Sequence, residues 1–136
     1  MRKFLITAHG TFSSGIKSSL DIIIGQMDNV FVIDAYVDNN SSIEDELNAV
    51  LANVTVDDEL IVFSDLMGGS ITNQVLRYAL RPNVHVVSGM NLPLLIEVML
   101  ASADTPVPEV IENAMMHARE QVTYVNTLIN KENDHD

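Results

Sequence analysis

The sequence predicts an α/β fold, a doubly wound and mainly parallel sheet of strand order 2-1-3-4 flanked by helices. Short apolar runs of strand length alternate along the chain with segments whose apolar residues recur at helical spacing. Such alternation is typical of right-handed β-α-β units. The length of 136 residues and the apolar content of 47% suit one domain with one core. We assign that domain to residues 1–130 and expect residues 131–136 to form a flexible polar tail.

The first half of the chain contains three predicted strands and two helices. Lys3–Thr7 is an apolar run that ends in small and polar residues, which is typical of a buried strand. A helix begins at Ser13 or Ser14 according to its apolar spacing, and Val30–Ala35 is the second strand. Ser41-Ser42-Ile43-Glu44 has the pattern of a capping box that opens the next helix. Glu59–Ser64 is the third strand.

The next segment predicts a helix, a strand and a second helix. Gly68-Gly69-Ser70 leads into a helix that extends to about Leu80, where Pro82 and Asn83 break it. Val84–Ser88 is the fourth strand. Asn91 is a suitable cap for a helix with Pro93 in its first turn, extending to about Ala101. Because that helix is apolar on most sides, we expect another surface to cover it, for example a second subunit.

The last part of the chain is helical at first and then ambiguous. Pro106–Arg119 has amphipathic helical spacing. Val122–Ile129 is rich in β-branched residues, so it could form an edge strand or continue the helix.

Charge limits the classes of partner. Seven basic residues face nineteen acidic ones, giving a formal net charge of −12. No Lys or Arg occurs between Lys17 and Arg77 or between Arg81 and Arg119. Nucleic-acid binding needs clustered positive charge, so we exclude it, and an anionic membrane surface is disfavoured for the same reason. The acidity favours a partner with a basic patch, or it simply keeps the surface hydrated.

Several kinds of site are also excluded. The chain has no cysteine, which removes disulfides, zinc–thiolate sites and cysteine nucleophiles. It has no nucleotide-binding P-loop motif, and its histidines are scattered, so we predict no metal and no cofactor. No apolar run is long enough for a signal peptide or a membrane helix. We therefore expect a cytoplasmic protein.

Unusual residues follow three of the predicted strands. His9-Gly10 follows the first, Asp65–Ser70 the third and Gly89–Pro93 the fourth. In open α/β sheets, ligands bind at the carboxyl ends of the strands, where the strand order reverses. Strand order 2-1-3-4 makes strands 1 and 3 neighbours at that point, so we expect His9 and Asp65 to face each other.

A histidine beside a carboxylate is suited to nucleophilic chemistry. The carboxylate accepts a hydrogen bond from one ring nitrogen and leaves the other free to attack. We therefore predict His9 and Asp65 as the catalytic pair. Two helix amino ends beside them would bind an anion through backbone N–H groups, without a cationic side chain. The predicted phosphoryl-binding residues are Gly10, Thr11, Ser13, Gly68, Gly69 and Ser70.

Other interpretations of these residues stay open. His9 could be a hydrogen-bonded loop histidine, and Asp65 or Ser70 could cap the following helix. Asp34, which ends the second strand, is interpreted as solvated or capping rather than as part of the cleft. The remaining histidines are interpreted as structural, helix-surface and tail residues: His85, His117 and His135.

The same segments resemble the IIA component of the mannose family of the bacterial phosphoenolpyruvate-dependent sugar phosphotransferase system. The family pattern H-G-x-x-A-x-G corresponds to His9–Gly15, D-x-x-G-G-S-P-x-N to Asp65–Asn73, and G-x-N-L-P-x-L to Gly89–Leu95. Ser13 replaces the usual Ala and could add a hydroxyl to the anion site. Ile71 replaces a Pro that is favoured but not required at a helix start.

The resemblance implies a phosphotransferase component that works through a phosphohistidine. His9 would take a phosphoryl group from phospho-HPr, with Asp65 as its hydrogen-bond partner, and pass it to a IIB component on another polypeptide. The transfer would be coupled to sugar uptake through membrane IIC and IID subunits. The family forms homodimers that exchange a C-terminal strand at the sheet edge, for which Val122–Ile129 is the candidate here.

Three alternatives remain at this point. The chain could be a regulatory phosphohistidine module or a binder of small anions with no covalent step. It could also be the phosphotransfer subunit of a dihydroxyacetone kinase, which ranks lower because that group usually lacks the stretch found at Gly89–Pro93.

Overall fold

The computed structural model describes residues 1–38 and 42–133, and it contains the predicted alternation of strands and helices. Three strands have the predicted bounds. The first is longer than predicted, because its pairing with the second strand continues to His9. The elements are β1 Arg2–His9, α1 Phe12–Ile24, β2 Val30–Ala35, α2 Glu44–Leu51, β3 Glu59–Ser64, α3 Ser70–Tyr78, β4 Val84–Ser88, α4 Leu92–Leu100, α5 Val107–Gln121 and α6 Val125–Asn133.

The sheet confirms the predicted fold class. Its four strands are all parallel, in the order β2-β1-β3-β4. His9 pairs with Ala35 of β2, and Thr7 pairs with Ser64 of β3. The order reverses between β1 and β3, so the residues that follow these two strands meet at one edge of the sheet.

The core lies on both faces of the sheet. This explains why the central strands are continuous apolar runs rather than alternating ones. On one face, β1 and β3 residues such as Phe4 and Phe63 pack against α1, α4 and α5. On the other face, Leu5 and Val62 pack against residues of α2 and α3. The strand ends are therefore held firmly at the edge that carries the unusual residues.

The helix starts agree only partly with the predicted caps. The Asn91 side chain accepts a hydrogen bond from the Leu94 N–H at 3.0 Å, as predicted for the cap of α4. The predicted capping box of α2 is wrong, because Ile43 occupies the N-cap position and no side chain caps the helix from there. Instead, the Ser42 hydroxyl accepts a hydrogen bond from the Glu44 N–H at 3.1 Å. Ser41 lies outside the described residues.

The end of the chain forms a second helix rather than a strand. α6 begins at Val125 after a break in the helix at residues 122–124, so within this chain the strand alternative for Val122–Ile129 is wrong. Val125, Leu128 and Ile129 recur at helical spacing, and this spacing prevails over the β-branched character of Val125 and Ile129. Lys131 belongs to α6, and residues 134–136 of the predicted tail lie outside the described residues. Within the described part of the chain, no helix is both long and apolar enough to cross a membrane.

Candidate functional site at the carboxyl edge of the sheet

His9 and Asp65 lie against each other, as the predicted strand order requires. His9 ends β1, and Asp65 follows β3 directly. One carboxylate oxygen, Oδ2, accepts a hydrogen bond from the His9 backbone N–H at 2.9 Å. The same oxygen lies 2.7 Å from Nδ1 of the imidazole. The carboxylate therefore fixes both the main chain and the ring of His9.

The surroundings of Asp65 keep its carboxyl group ionised. Its other oxygen, Oδ1, accepts a hydrogen bond from the Leu66 N–H at 2.9 Å. Burial of the carboxyl group opposes ionisation, but the His9 N–H, the His9 ring and the Leu66 N–H together outweigh it. The pKa of Asp65 therefore lies below its ordinary value. Since the side chain of Asp65 is 10% exposed and that of His9 is 42% exposed, the anion is sheltered while the ring is open to solvent.

The second ring nitrogen of His9 is available for chemistry. An ionised carboxylate can only accept hydrogen bonds, so Nδ1 carries a proton, and in the neutral ring the lone pair is therefore on Nε2. The Ser70 hydroxyl lies 3.3 Å from Nε2. Ser70 does not cap α3, because Gly69 holds the N-cap position without a side-chain cap bond, and this corrects one interpretation of the sequence.

The amino end of α3 lies close to the His9 ring. The first N–H groups of a helix have no partner within the helix, and the helix dipole makes this end positive. A Cβ atom at Gly69 would lie 3.2 Å from the Leu66 Cβ and 3.9 Å from Cε1 of His9. Glycine therefore permits the close approach of the helix start to Leu66, whereas a Cβ would make only an ordinary contact with the ring. The Thr72 hydroxyl donates to the Leu66 carbonyl oxygen at 2.7 Å, which fixes the turn between β3 and α3.

Several polar groups near the amino end of α1 have hydrogen-bond partners within the protein. One carboxylate oxygen of Asp34 accepts a hydrogen bond from the Ser14 N–H at 3.0 Å, so the predicted capping role of Asp34 is confirmed. The Gly10 N–H is already donated to the Ala35 carbonyl oxygen at 2.9 Å. Ser13 is fully buried, and its hydroxyl has no hydrogen-bond partner within residues 1–38 and 42–133. The hydroxyl that lies next to Nε2 of His9 comes from Ser70 at the start of α3.

Three residues near the site were not identified from the sequence. The Tyr36 ring lies 5.5 Å from the His9 ring, measured between centroids. The Tyr36 hydroxyl contacts both Ser70 and Gln74. Arg77 lines a cleft of about 320 Å³ together with Tyr36 and Ser70, so a cationic side chain does lie near the site. Tyr36 follows β2 at the same edge of the sheet, and this position was the signal that could have identified it.

The other predicted features lie apart from the His9 ring. His85 pairs with Glu59, and Nδ1 of His117 lies 2.7 Å from a carboxylate oxygen of Glu97. His135 lies outside the described residues. No group of side chains suited to hold a metal ion occurs in the part of the chain that the structure describes.

Exposed apolar side chains surround the site. Phe12, Leu66 and Met67 follow the strands at this edge and are 49%, 59% and 83% exposed. Phe12 also lines an apolar cleft of about 400 Å³ with Met90 and Leu92, which belong to the third sequence motif. Apolar surface at an open site is typical of a face that contacts another protein.

Comparison with known proteins gives one consistent family. The profile of the mannose-type EIIA family, described as the fructose IIA component of the phosphotransferase system, matches residues 3–115. The mannose-specific EIIAB component of Escherichia coli K12 is 27% identical over 121 residues, which cover 87% of this chain and 38% of that protein. The fructose-specific EIIA component of Bacillus subtilis is 22% identical and is covered to 79%, with 83% of this chain aligned.

Solved structures agree in fold. A Klebsiella pneumoniae protein assigned to the phosphoenolpyruvate-dependent sugar phosphotransferase system is 32% identical with a TM-score of 0.86, and 94% of this chain and 93% of that one align. An EIIA component from Streptococcus agalactiae is 28% identical with a TM-score of 0.75, and the aligned shares are 93% and 99%. The family profile covers most of the chain, and these likenesses extend over nearly all of it. The protein therefore belongs to the mannose/fructose family of IIA components of the sugar phosphotransferase system.

Proposed function

We propose that this chain is a phosphocarrier that receives a phosphoryl group on Nε2 of His9 from phospho-HPr and passes it to a IIB component. The observation that carries the proposal is the asymmetry of the His9 ring. Nδ1 is hydrogen-bonded to the sheltered, ionised carboxylate of Asp65, whereas Nε2 lies on the solvent-exposed side of the ring, near the amino end of α3.

The first transfer forms one N–P bond and breaks another. The lone pair of Nε2 attacks the phosphorus atom of the donor phosphohistidine. The electron pair of the breaking N–P bond returns to the donor imidazole. Because Nδ1 keeps its proton, the His9 ring becomes cationic, and Asp65 balances that charge at 2.7 Å. The second transfer reverses these changes toward the IIB component.

The rest of the site is suited to hold the phosphoryl oxygens. Phosphoryl transfer depends mainly on positioning and on stabilisation of charge. The N–H groups that begin α3 and the Ser70 hydroxyl lie on the Nε2 side of the ring. They are neutral donors, so they bind the phosphoryl group without a permanent charge that would hold it too firmly for transfer.

The same exposed edge serves both partners in turn. Phe12, Leu66 and Met67 offer apolar contact area around His9. The net charge of −12 favours approach of a partner with a basic patch. The chain spans about 38% of the Escherichia coli EIIAB relative. Transfer to a IIB component, and through it to membrane IIC and IID subunits, is part of this proposal.

Labelling tests the proposed function. The chain is incubated with enzyme I, HPr and phosphoenolpyruvate carrying a labelled phosphoryl group. We expect the wild-type chain and H85Q to take up label and H9Q to take up none. Addition of a IIB component should then remove the label from the chain. Uptake of label by H9Q would overturn the assignment of His9, and label that no IIB component removes would favour a regulatory phosphohistidine module.

A further inference from the structure

Tyr36 has a strained backbone next to the site. Its φ of 66° is the only positive value for a residue other than glycine in the described ranges 1–38 and 42–133. An aromatic residue seldom adopts this left-handed conformation, and such strain persists only where surrounding contacts hold it. The contacts of Tyr36 are its ring against His9 and its hydroxyl between Gln74 and Ser70.

These contacts form a hydrogen-bond chain with a fixed direction. The Ile43 N–H can only donate, and it donates to Oε1 of Gln74 at 2.7 Å. The amide nitrogen of Gln74 must therefore face Tyr36, and it donates to the Tyr36 hydroxyl at 2.7 Å. The Tyr36 O–H in turn donates to the Ser70 hydroxyl oxygen at 3.0 Å.

The direction continues to the His9 ring. Because the Ser70 oxygen accepts from Tyr36, its own proton is free to point at Nε2 of His9, 3.3 Å away. In the neutral ring Nε2 is the acceptor nitrogen, since Nδ1 donates to Asp65. Each donor in this chain thus meets an acceptor, from the backbone of Ile43 to the carboxylate of Asp65.

We propose that Tyr36 and Gln74 are positioning residues that hold the Ser70 hydroxyl as a donor toward Nε2 of His9. This inference rests on the proposed function. Before transfer, the Ser70 O–H keeps the ring in the form whose lone pair is on Nε2. When the N–P bond forms, Ser70 keeps its proton, and its O–H group now donates a hydrogen bond to a phosphoryl oxygen. Tyr36 holds the Ser70 oxygen in place in both states.

The Ser70 contact is suited to such an exchange. At 3.3 Å it is longer than an ordinary O–H···N hydrogen bond, so an incoming phosphorus atom displaces it at small cost. The Tyr36 ring lies beside the imidazole at an interplanar angle of 56°. Tyr36 therefore contacts His9 with its ring and Ser70 with its hydroxyl, and these two contacts can be separated by mutation.

The test uses variants that interrupt or redirect the hydrogen-bond chain while nearly preserving the size of each side chain. Y36F keeps the ring and removes the hydroxyl. In Q74E, the carboxylate accepts from both the Ile43 N–H and the Tyr36 O–H, so Tyr36 no longer donates to Ser70. Y78F removes the hydroxyl of another tyrosine of the same cleft, and N73D adds a negative charge to that cleft. The two serve as controls.

Single-turnover transfer from labelled phospho-HPr gives the first readout. We expect Y36F and Q74E each to slow transfer about three- to tenfold, as for loss of one neutral hydrogen bond. We expect the double variant to be no slower than either single variant, because both changes interrupt one chain. Y78F should transfer at the wild-type rate, and N73D should slow transfer less than Q74E. The inference would be overturned if the double variant slowed transfer by the product of the two single effects, or if Y36F transferred at the same rate as Y78F.

Nitrogen-15 NMR of the His9 ring gives a readout independent of transfer. Loss of the Ser70 bond should move the Nε2 resonance toward that of an acceptor nitrogen without a hydrogen bond, equally in Y36F and Q74E and not in Y78F. An unchanged Nε2 resonance in folded Y36F would reject the hydrogen-bond chain. If the wild-type protein takes up no label, the proposed function is rejected. The NMR comparison would still decide whether the hydrogen-bond chain from Tyr36 to His9 exists.

Discussion

At the residue scale, the two nitrogens of the His9 ring have different tasks because their partners differ. Asp65 is a sheltered anion that can only accept a hydrogen bond, so it determines which nitrogen carries the proton. Ser70 is a neutral hydroxyl on the exposed side, and its bond to the ring can be exchanged. The chemistry of the site therefore depends on Asp65 more strongly than on any residue beside Nε2.

Replacement of Asp65 by Asn tests that dependence. Both carboxylate oxygens of Asp65 accept hydrogen bonds from backbone N–H groups, so either orientation of an Asn amide sets its NH2 group against one of those donors. The neutral amide also no longer balances the positive charge that the His9 ring gains on transfer. We expect D65N to slow phosphoryl transfer about 100-fold or more, the range for loss of a correctly placed acid–base partner. Single-turnover labelling measures this rate. D34N is the matched control, because Asp34 caps α1 without touching the ring. A D65N rate within a factor of about three of the wild type would contradict the assignment.

The pH dependence of stability follows from the same carboxylate. The pKa of Asp65 is lowered on folding, so its stabilising contribution is complete above the unfolded value of about 3.9 and is lost as pH falls through the folded value. We expect the difference in free energy of unfolding between wild type and D65N to be constant near neutral pH and to shrink below about pH 4. Urea denaturation over this range measures it.

Comparison of the wild type with D65N separates the contribution of Asp65 to the pH dependence of stability from those of the other acidic groups. Asp58 also has a lowered pKa, because it accepts hydrogen bonds from Thr55 and Lys3. Since Asp58 is present in both proteins, its contribution cancels. A difference that stays constant or grows on acidification would show that the folded pKa of Asp65 is not lowered.

At the element scale, the turn from β3 into α3 places a helix end against the His9 ring. Gly68 and Gly69 make that turn for different physical reasons. Gly68 has φ of 75°, and a Cβ there would meet no atom within 4 Å. Gly69 has an ordinary φ of −75°, but a Cβ there would press on Leu66 at 3.2 Å. Backbone strain and close approach are thus separated on adjacent residues.

Alanine at each glycine distinguishes these two effects. We expect G68A to lower the free energy of unfolding by about 1 kcal/mol through backbone strain. We expect G69A to lower it by about 1–3 kcal/mol through crowding. G69A should also displace the His9 ring signals in the NMR spectrum, because the new methyl group lies near Cε1. Urea denaturation and NMR measure both effects. Equal ring shifts in the two variants would contradict the close-approach argument.

The sequence predicted the sheet and the His9–Asp65 pair because both follow from strong, simple patterns. Buried parallel strands are continuous apolar runs, and strand order alone brings the residues after β1 and β3 together. The position of Tyr36 after β2 places it at the same edge, but the contacts that Tyr36 and Gln74 make there could not be predicted in this way. Tyr36 depends on a rare backbone conformation, and the orientation of Gln74 depends on the backbone of Ile43, far away in sequence.

At the scale of the whole molecule, two groups of exposed apolar side chains bear on the partners of the protein. One surrounds His9, and the other is α6, where Val125, Leu128 and Ile129 are each half or more exposed. A single helix with so much exposed apolar surface gains little stability from the chain that carries it. We expect a second copy of the chain to cover the apolar side chains of α6, either with α6 as a helix or with this segment exchanged between the copies as a strand.

Charged substitutions on α6 test this assembly. We expect the wild-type chain to have a mass in solution about twice its own 15.0 kDa. L128E combined with I129E should lower that mass toward the monomer, because each change places a charge in an apolar interface. I22E is the control, since Ile22 is 84% exposed on α1 and lies outside α6. Light scattering after gel filtration measures the masses. A wild-type monomer, or dissociation by I22E alone, would contradict the prediction. A double variant that is monomeric and still accepts label would show that His9 works without the second copy.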